Sequence, residues 1–210
     1  MKRVVLLAAA VAVVALTAAP ALAQRQRGGF GGGAMLLGQK SVQEELKLSE
    51  DQKKKVTEIT AKFQGLGALS QDERRQKVEE ITKEVNQFIK DDLKPEQGKR
   101  LKQIGLQFGG VAAATRDPEV AKDLNLTDEQ KDKIKGIEEE AGKEAREIFQ
   151  AGGDQEERQK KFAELRKTTH AKAENVLTSE QKAKWKELTG APFKGEISFG
   201  PPRRQRQEKK

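Results

Sequence analysis

The chain of 210 residues has no cysteine, no tyrosine, one histidine and one tryptophan. Without cysteine there can be no disulfide, thiolate metal site or sulfur nucleophile. A single imidazole and no phenol leave few groups able to move protons near neutral pH. Aromatic residues are only 4% of the chain while 35% of it is charged. A core must therefore be thin and built from Leu, Ile, Val and Ala. These shortages argue against an enzyme, and no cofactor is expected.

The charge that is present is mostly basic: 41 Lys and Arg face 33 Asp and Glu, a formal net charge of +8. The one long uncharged run lies at the start. Lys2 and Arg3 precede Val4 to Ala19, Pro20 interrupts the run, and Ala21-Leu22-Ala23 has the small-x-small form of a signal-peptidase site. Residues 1–23 read as a signal peptide cut between Ala23 and Gln24, which places the product in the periplasm or otherwise outside the cytoplasm. The competing reading is a retained anchor, but the run is short against the ~20 residues of a bilayer span. An exported protein has no ready supply of ATP.

Beyond the leader the sequence repeats itself. Phe30-Gly31-Gly32-Gly33-Ala34 recurs as Phe108-Gly109-Gly110-Val111-Ala112. At the same spacing, Leu46-Lys47-Leu48-Ser49-Glu50-Asp51-Gln52-Lys53 recurs as Leu124-Asn125-Leu126-Thr127-Asp128-Glu129-Gln130-Lys131. Further on, Leu93-Lys94-Pro95-Glu96-Gln97 matches Leu177-Thr178-Ser179-Glu180-Gln181 at a spacing six residues greater. The added residues fall in or just after the first long helix of the second copy. The implied organisation is a Gly-rich linker over 24–33, one helical repeat over 34–107, a second over 108–190, and a basic disordered tail over 191–210.

Each repeat reads as helix. Ser, Thr or Asp with Glu or Gln three residues on satisfies the unpaired donors of a helix start. Ser41/Glu44, Ser49/Gln52, Ser70/Glu73, Thr127/Gln130, Asp154/Glu157 and Thr178/Gln181 fit this box, and Pro95 and Pro118 suit a first helical position. Glycines mark the stops at Gly65, Gly67, Gly109-Gly110, Gly152-Gly153 and Gly190. Between them, apolar residues follow helical spacing, as in Val78, Ile81, Val85, Phe88 and Ile89, or Ile134, Ile137, Ala141, Ala145 and Ile148. The expected fold is all-α, with two tandem hairpin repeats of long amphipathic helices.

The recurring Leu-x-Leu-[Ser/Thr]-x-x-Gln at Leu48, Ser49, Gln52 and at Leu126, Thr127, Gln130, with its partners at Leu93, Pro95, Gln97 and Leu177, Thr178, Gln181, resembles the LTxxQ-motif family of exported helical proteins. That family includes the Spy- and CpxP-like periplasmic chaperones. The resemblance covers most of 42–188, with Pro95 departing from the motif. It implies an all-helical homodimer whose basic, partly apolar concave face holds partly unfolded exported proteins without ATP, as a chaperone or envelope-stress adaptor. Phe63, Phe88, Phe149, Phe162 and Trp185, with Arg74, Arg75 and Arg158, are the candidate client-binding residues, provided that thin helical layers leave some rings uncovered.

Other chemistry finds little purchase. His170 has no nucleophile motif beside it and reads as a partly exposed polar residue. Glu138-Glu139-Glu140 and Asp91-Asp92 occupy consecutive helical positions that point apart, so they make poor metal ligands. Export disfavours nucleic acid as the partner of the basic tail, which is better suited to weak contact with anionic surfaces. The alternatives to client binding are a structural or scaffolding repeat protein of the envelope and a metal-responsive envelope protein.

Overall fold

The computed structural model of the chain describes residues 32–197. The signal segment with its Ala23–Gln24 junction, the linker up to residue 31 and the tail from residue 198 lie outside the described residues. The fold is all-α. In chain order the helices are α1 (Gly32–Leu37), α2 (Lys40–Glu45), α3 (Glu50–Ala61), α4 (Gln71–Asp91), α5 (Pro95–Arg116), α6 (Pro118–Asp123), α7 (Asp128–Gln150), α8 (Gln155–Glu174) and α9 (Ser179–Thr189), with a short 3-10 turn at Leu66–Ala68.

The helix starts follow the sequence signals. Ser49, Ser70, Thr127 and Thr178 each accept a bond from the backbone N–H three residues on, and the Gln or Glu there accepts from the cap's own N–H. Asp154 and Asp117 cap α8 and α6 through their carboxylates. Ser41 does not cap: it lies inside α2, whose first turn follows Gln39. Its hydroxyl is used elsewhere, as shown below.

The Leu-x-Leu-[Ser/Thr] element is two pieces of punctuation fused together. At the end of α2, Lys47 takes φ 50°, Lys47 N–H donates to Glu44 O (3.0 Å) and Leu48 N–H to Gln43 O (3.0 Å). Asn125 repeats this after α6, with φ 50° and bonds to Lys122 O (2.9 Å) and from Leu126 N–H to Ala121 O (3.0 Å). This 6→1, 5→2 pair is the Schellman way of ending a helix. It buries both leucines of each element, Leu46 and Leu48, Leu124 and Leu126. The next residue is already the N-cap of the following helix. One helix therefore stops, turns and hands over to the next within four residues.

Two cores result. The first gathers Leu36, Val42, Val56, Ile81, Val85, Phe88, Leu101 and Ile104 from α1 to α5. The second gathers Leu106, Val111, Val120, Leu124, Ile134, Ala173, Leu177 and Trp185 from α5 to α9 and the turns between them. Helix α5 serves both: Leu101 and Ile104 enter one core and Leu106 the other. It is not stopped at Gly109-Gly110 as the glycines suggest. It breaks at Gly110, whose φ of 62° and ψ of −167° are open only to glycine, and resumes to Arg116. The edge of the His170 ring fills the space beside the break, so that a Cβ on Gly110 would stand 2.6 Å from Cδ2.

The second half has the longer first arm. Helix α3 has 12 residues and α7 has 23. In the first half the difference is taken up by the turn around Leu66–Ala68, where Arg74 donates to Leu66 O (2.9 Å) and Leu69 O (3.1 Å).

The segment from residue 191 departs from the expected disordered tail. Ala191 to Ile197 returns across the first half, with Phe193 and Ile197 half-buried against the first core. Its two apolar residues, among prolines and charges, show no helical stripe in the sequence. An extended segment needs none.

Candidate functional site

The four motif glutamines meet in pairs. Gln52 and Gln97 share one site: Gln52 Nε2 donates to Gln97 Oε1 (2.9 Å) and to Asp92 O (2.6 Å), while Gln97 Nε2 donates to Leu46 O (3.0 Å). Gln130 and Gln181 share the other. Gln130 Nε2 donates to Gln181 Oε1 (2.7 Å) and to Val176 O (3.0 Å), and Gln181 Nε2 donates back to Gln130 Oε1 (2.9 Å) and to Leu124 O (3.1 Å). Each Oε1 also accepts from its own N-cap N–H, at Ser49, Lys94, Thr127 and Thr178. Each pair thus joins two helix starts and satisfies a carbonyl in the turn leading into each of them. Pro95 does not disturb this, because Lys94 supplies the N-cap and Pro95 sits at the first helical position. The motif is structural and carries no reactive group.

The structure divides the candidate client-binding residues. Phe88 is sealed in the first core and Trp185 in the second, at 2% and 9% exposure. Neither ring is available to a partner: each lies on a face closed by other helices. Phe63 is half-buried against the first core. Phe162 is half-buried on α8. Phe149 is open, 69% exposed on the last turn of α7. Arg75 is exposed and Arg158 half-buried, while Arg74 is engaged in closing the turn before α4. Sequence reasoning did not mark Met35, 45% exposed on α1, which belongs to no complete stripe.

Phe149 stands at the end of an arm. Along α7 only Ile134 is fully buried, and along α8 only Ala173. Beyond them Ile137, Ala141, Ala145 and Ile148 of one helix and Phe162, Leu165 and Thr169 of the other are all half-buried. The two helices pack on each other here without a third layer to close the seam. At 1.5 Å per residue, the stretch from Ile137 to Gln150 is roughly 20 Å long. Its outer faces carry i,i+4 ion pairs such as Lys160–Glu156 (2.9 Å) and Lys161–Glu157 (2.8 Å). Gly152 and Gly153, both at positive φ, make the turn at its end.

Two ionisable groups are perturbed where α7 and α8 approach α5. Burial holds the His170 imidazole below its usual value, assisted by the positive charge of Arg166 and opposed by Glu174. Arg166 itself lies over the ring of Phe108, 4.5 Å from its centroid. Burial pushes the Glu138 carboxyl up, against the pull of its ion pair with Arg116. Among the described residues, no three His, Asp or Glu side chains are grouped as metal ligands would be. Among the same residues no helix is long and apolar enough to cross a membrane.

Comparison with known proteins finds no matching family model, no matching curated protein and no matching solved structure.

Proposed function

We propose that the chain is an exported, ATP-independent protein-binding protein of the LTxxQ type, acting as a chaperone or envelope-stress adaptor. The observation that carries this reading is the α7–α8 arm, with its half-open apolar seam ending in the exposed ring of Phe149. An apolar strip bordered by Lys, Arg and Glu suits transient contact with an unfolded chain. The long-range field of a net positive protein would speed encounter, and weak apolar contact would let the client leave again. The mechanism needs no nucleotide and no catalytic group.

The test is suppression of aggregation. Purified protein at equimolar ratio should slow the aggregation of several unrelated unfolded proteins, less so at high salt, and Phe149→Ser should weaken the effect while leaving helix content unchanged. Aggregation that proceeds at the same rate with and without the protein would overturn the reading.

A second reading, a structural helical repeat protein of the envelope, is favoured by one observation: Phe88 and Trp185, two of the five candidate client-binding rings, are committed to the cores. It predicts a stable fold that leaves aggregating clients untouched.

A further inference from the structure

The segment Ala191–Ile197 is held in a manner that does not depend on most of its side chains. Arg100 Nη1 donates to Ala191 O (2.8 Å), and Gln107 Nε2 donates to the same oxygen (2.8 Å) and to Thr189 O (2.7 Å). Phe193 N–H donates to Gln107 Oε1 (2.7 Å), and the Ser41 hydroxyl donates to Glu196 O (2.6 Å). Every one of these bonds reaches main chain. The holder is set in advance: Arg100 Nε and Nη2 both bond Glu45 Oε1, at 2.9 and 2.7 Å, which leaves Nη1 aimed at the segment. The side chains of Lys194 and Glu196 are exposed. Three positions are read: Phe193 and Ile197 rest on the first core, and at Gly195 a Cβ would lie 2.4 Å from Phe193 Cζ and 2.7 Å from Ser41 Cβ.

We propose that this face of the first half, bounded by Ser41 of α2 and by Arg100 and Gln107 of α5, is a binding groove for an extended polypeptide of the pattern aromatic-x-small-x-aliphatic, and that residues 191–197 are its built-in competitor. Main-chain bonds accept any sequence, and the two apolar anchors with a small residue between them supply the selectivity. An unfolded protein offers such stretches, and a folded one buries them. The segment therefore keeps the groove shut until a client segment of the same chemistry displaces it. That an outside polypeptide is the competitor rests on the protein-binding reading; the groove itself does not involve Phe149 or the arm.

The experiment uses the full chain and a labelled synthetic peptide of residues 191–197, followed by fluorescence anisotropy. Binding to the parent is weakened by the fraction of time that the groove is open, so freeing it should tighten the apparent affinity by about tenfold or more. The Phe193→Ser/Ile197→Ser double variant should show that gain, and a peptide carrying Val in place of the glycine should not bind it. Affinities of parent and double variant within twofold of each other, at equal helix content, would overturn the proposal. Should the double variant lose helix, hydrogen exchange on the parent decides instead: excess peptide should speed exchange at the Phe193 amide, and an unchanged rate would overturn the proposal. If the peptide binds but aggregation is not suppressed, the chaperone reading fails and the groove stands. If aggregation is suppressed but the peptide never binds, the groove alone fails.

Discussion

Gln130 and Gln181 lie face to face, each side-chain amide donating to the other's oxygen at 2.7 and 2.9 Å across 51 residues of sequence. A ring of two amides is strong because each partner satisfies the other and little polar surface is left over. Truncating one leaves its neighbour's donor and a helix-cap N–H without partners. Gln181→Ala should cost about 1–2 kcal/mol, the lower part of the range for a stranded polar group, because the pair is half-buried. Gln130→Ala should cost a similar amount, and the double variant should cost clearly less than the two together. Urea denaturation of the four proteins checks this, and simple additivity would show that the pair is not a unit.

Lys47 and Asn125 occupy equivalent turns at φ 50°, a conformation that Asn and Gly adopt more readily than Lys. Lys47→Gly should therefore stabilise the first half, by roughly 0.5–1 kcal/mol. Asn125→Lys should do the reverse in the second half. Thermal melts of both variants measure the sign directly.

Gly110 and His170 share one space. Gly110→Ala meets both a glycine-only conformation and the imidazole, and should cost roughly 2–4 kcal/mol. Adding His170→Ala should recover only the steric part, since φ at residue 110 stays positive. Full recovery would mean that the backbone there relaxes easily.

The imidazole also sets a pH dependence. Its folded-state pKa lies below the ordinary value of about 6.5, so the unfolded chain binds the proton more readily. Its contribution is constant above that value, and stability falls as the pH drops through it towards the folded-state pKa. Glu138 has the opposite sign: its folded-state pKa is raised, so stability falls as the pH rises through the ordinary carboxylate range. His170→Gln should flatten the decline between pH 7 and pH 5, read as melting temperature against pH. An unchanged slope would place the responsible group elsewhere.

Phe149 and Phe88 should behave as opposites. Phe88→Ala empties a site in the first core and should cost about 3–5 kcal/mol. Phe149→Ser should change stability by less than about 0.5 kcal/mol, as surface changes do, while weakening client binding. A large loss of stability from Phe149→Ser would show that the ring is a packing residue.

The helix starts were legible because a capping box is a local device: Ser49, Ser70, Thr127 and Thr178 act through residues three positions away. The all-α class and the longer first arm of the second half followed from stripes and spacing. The pairing of glutamines was not legible, since the capping box uses only the side-chain oxygen and nothing local shows where the amide hydrogens go. The fate of the rings was equally hidden. Phe88 sits on the apolar stripe of α4 and is closed in by other helices, whereas Phe149 lies beside the α7 stripe that ends at Ile148 and stays open. Ser41 has the right partner at the right spacing, yet α2 begins before it, which frees its hydroxyl for Glu196.

The route of Ala191–Ile197 has a consequence for the order of events during synthesis. The piece that covers α2 and α5 is made after α1 to α9, so a nascent chain carries its first half uncovered until that segment has emerged. Domains made first generally begin to fold first. Here the first half must wait for a segment that follows α9 before its surface is finished.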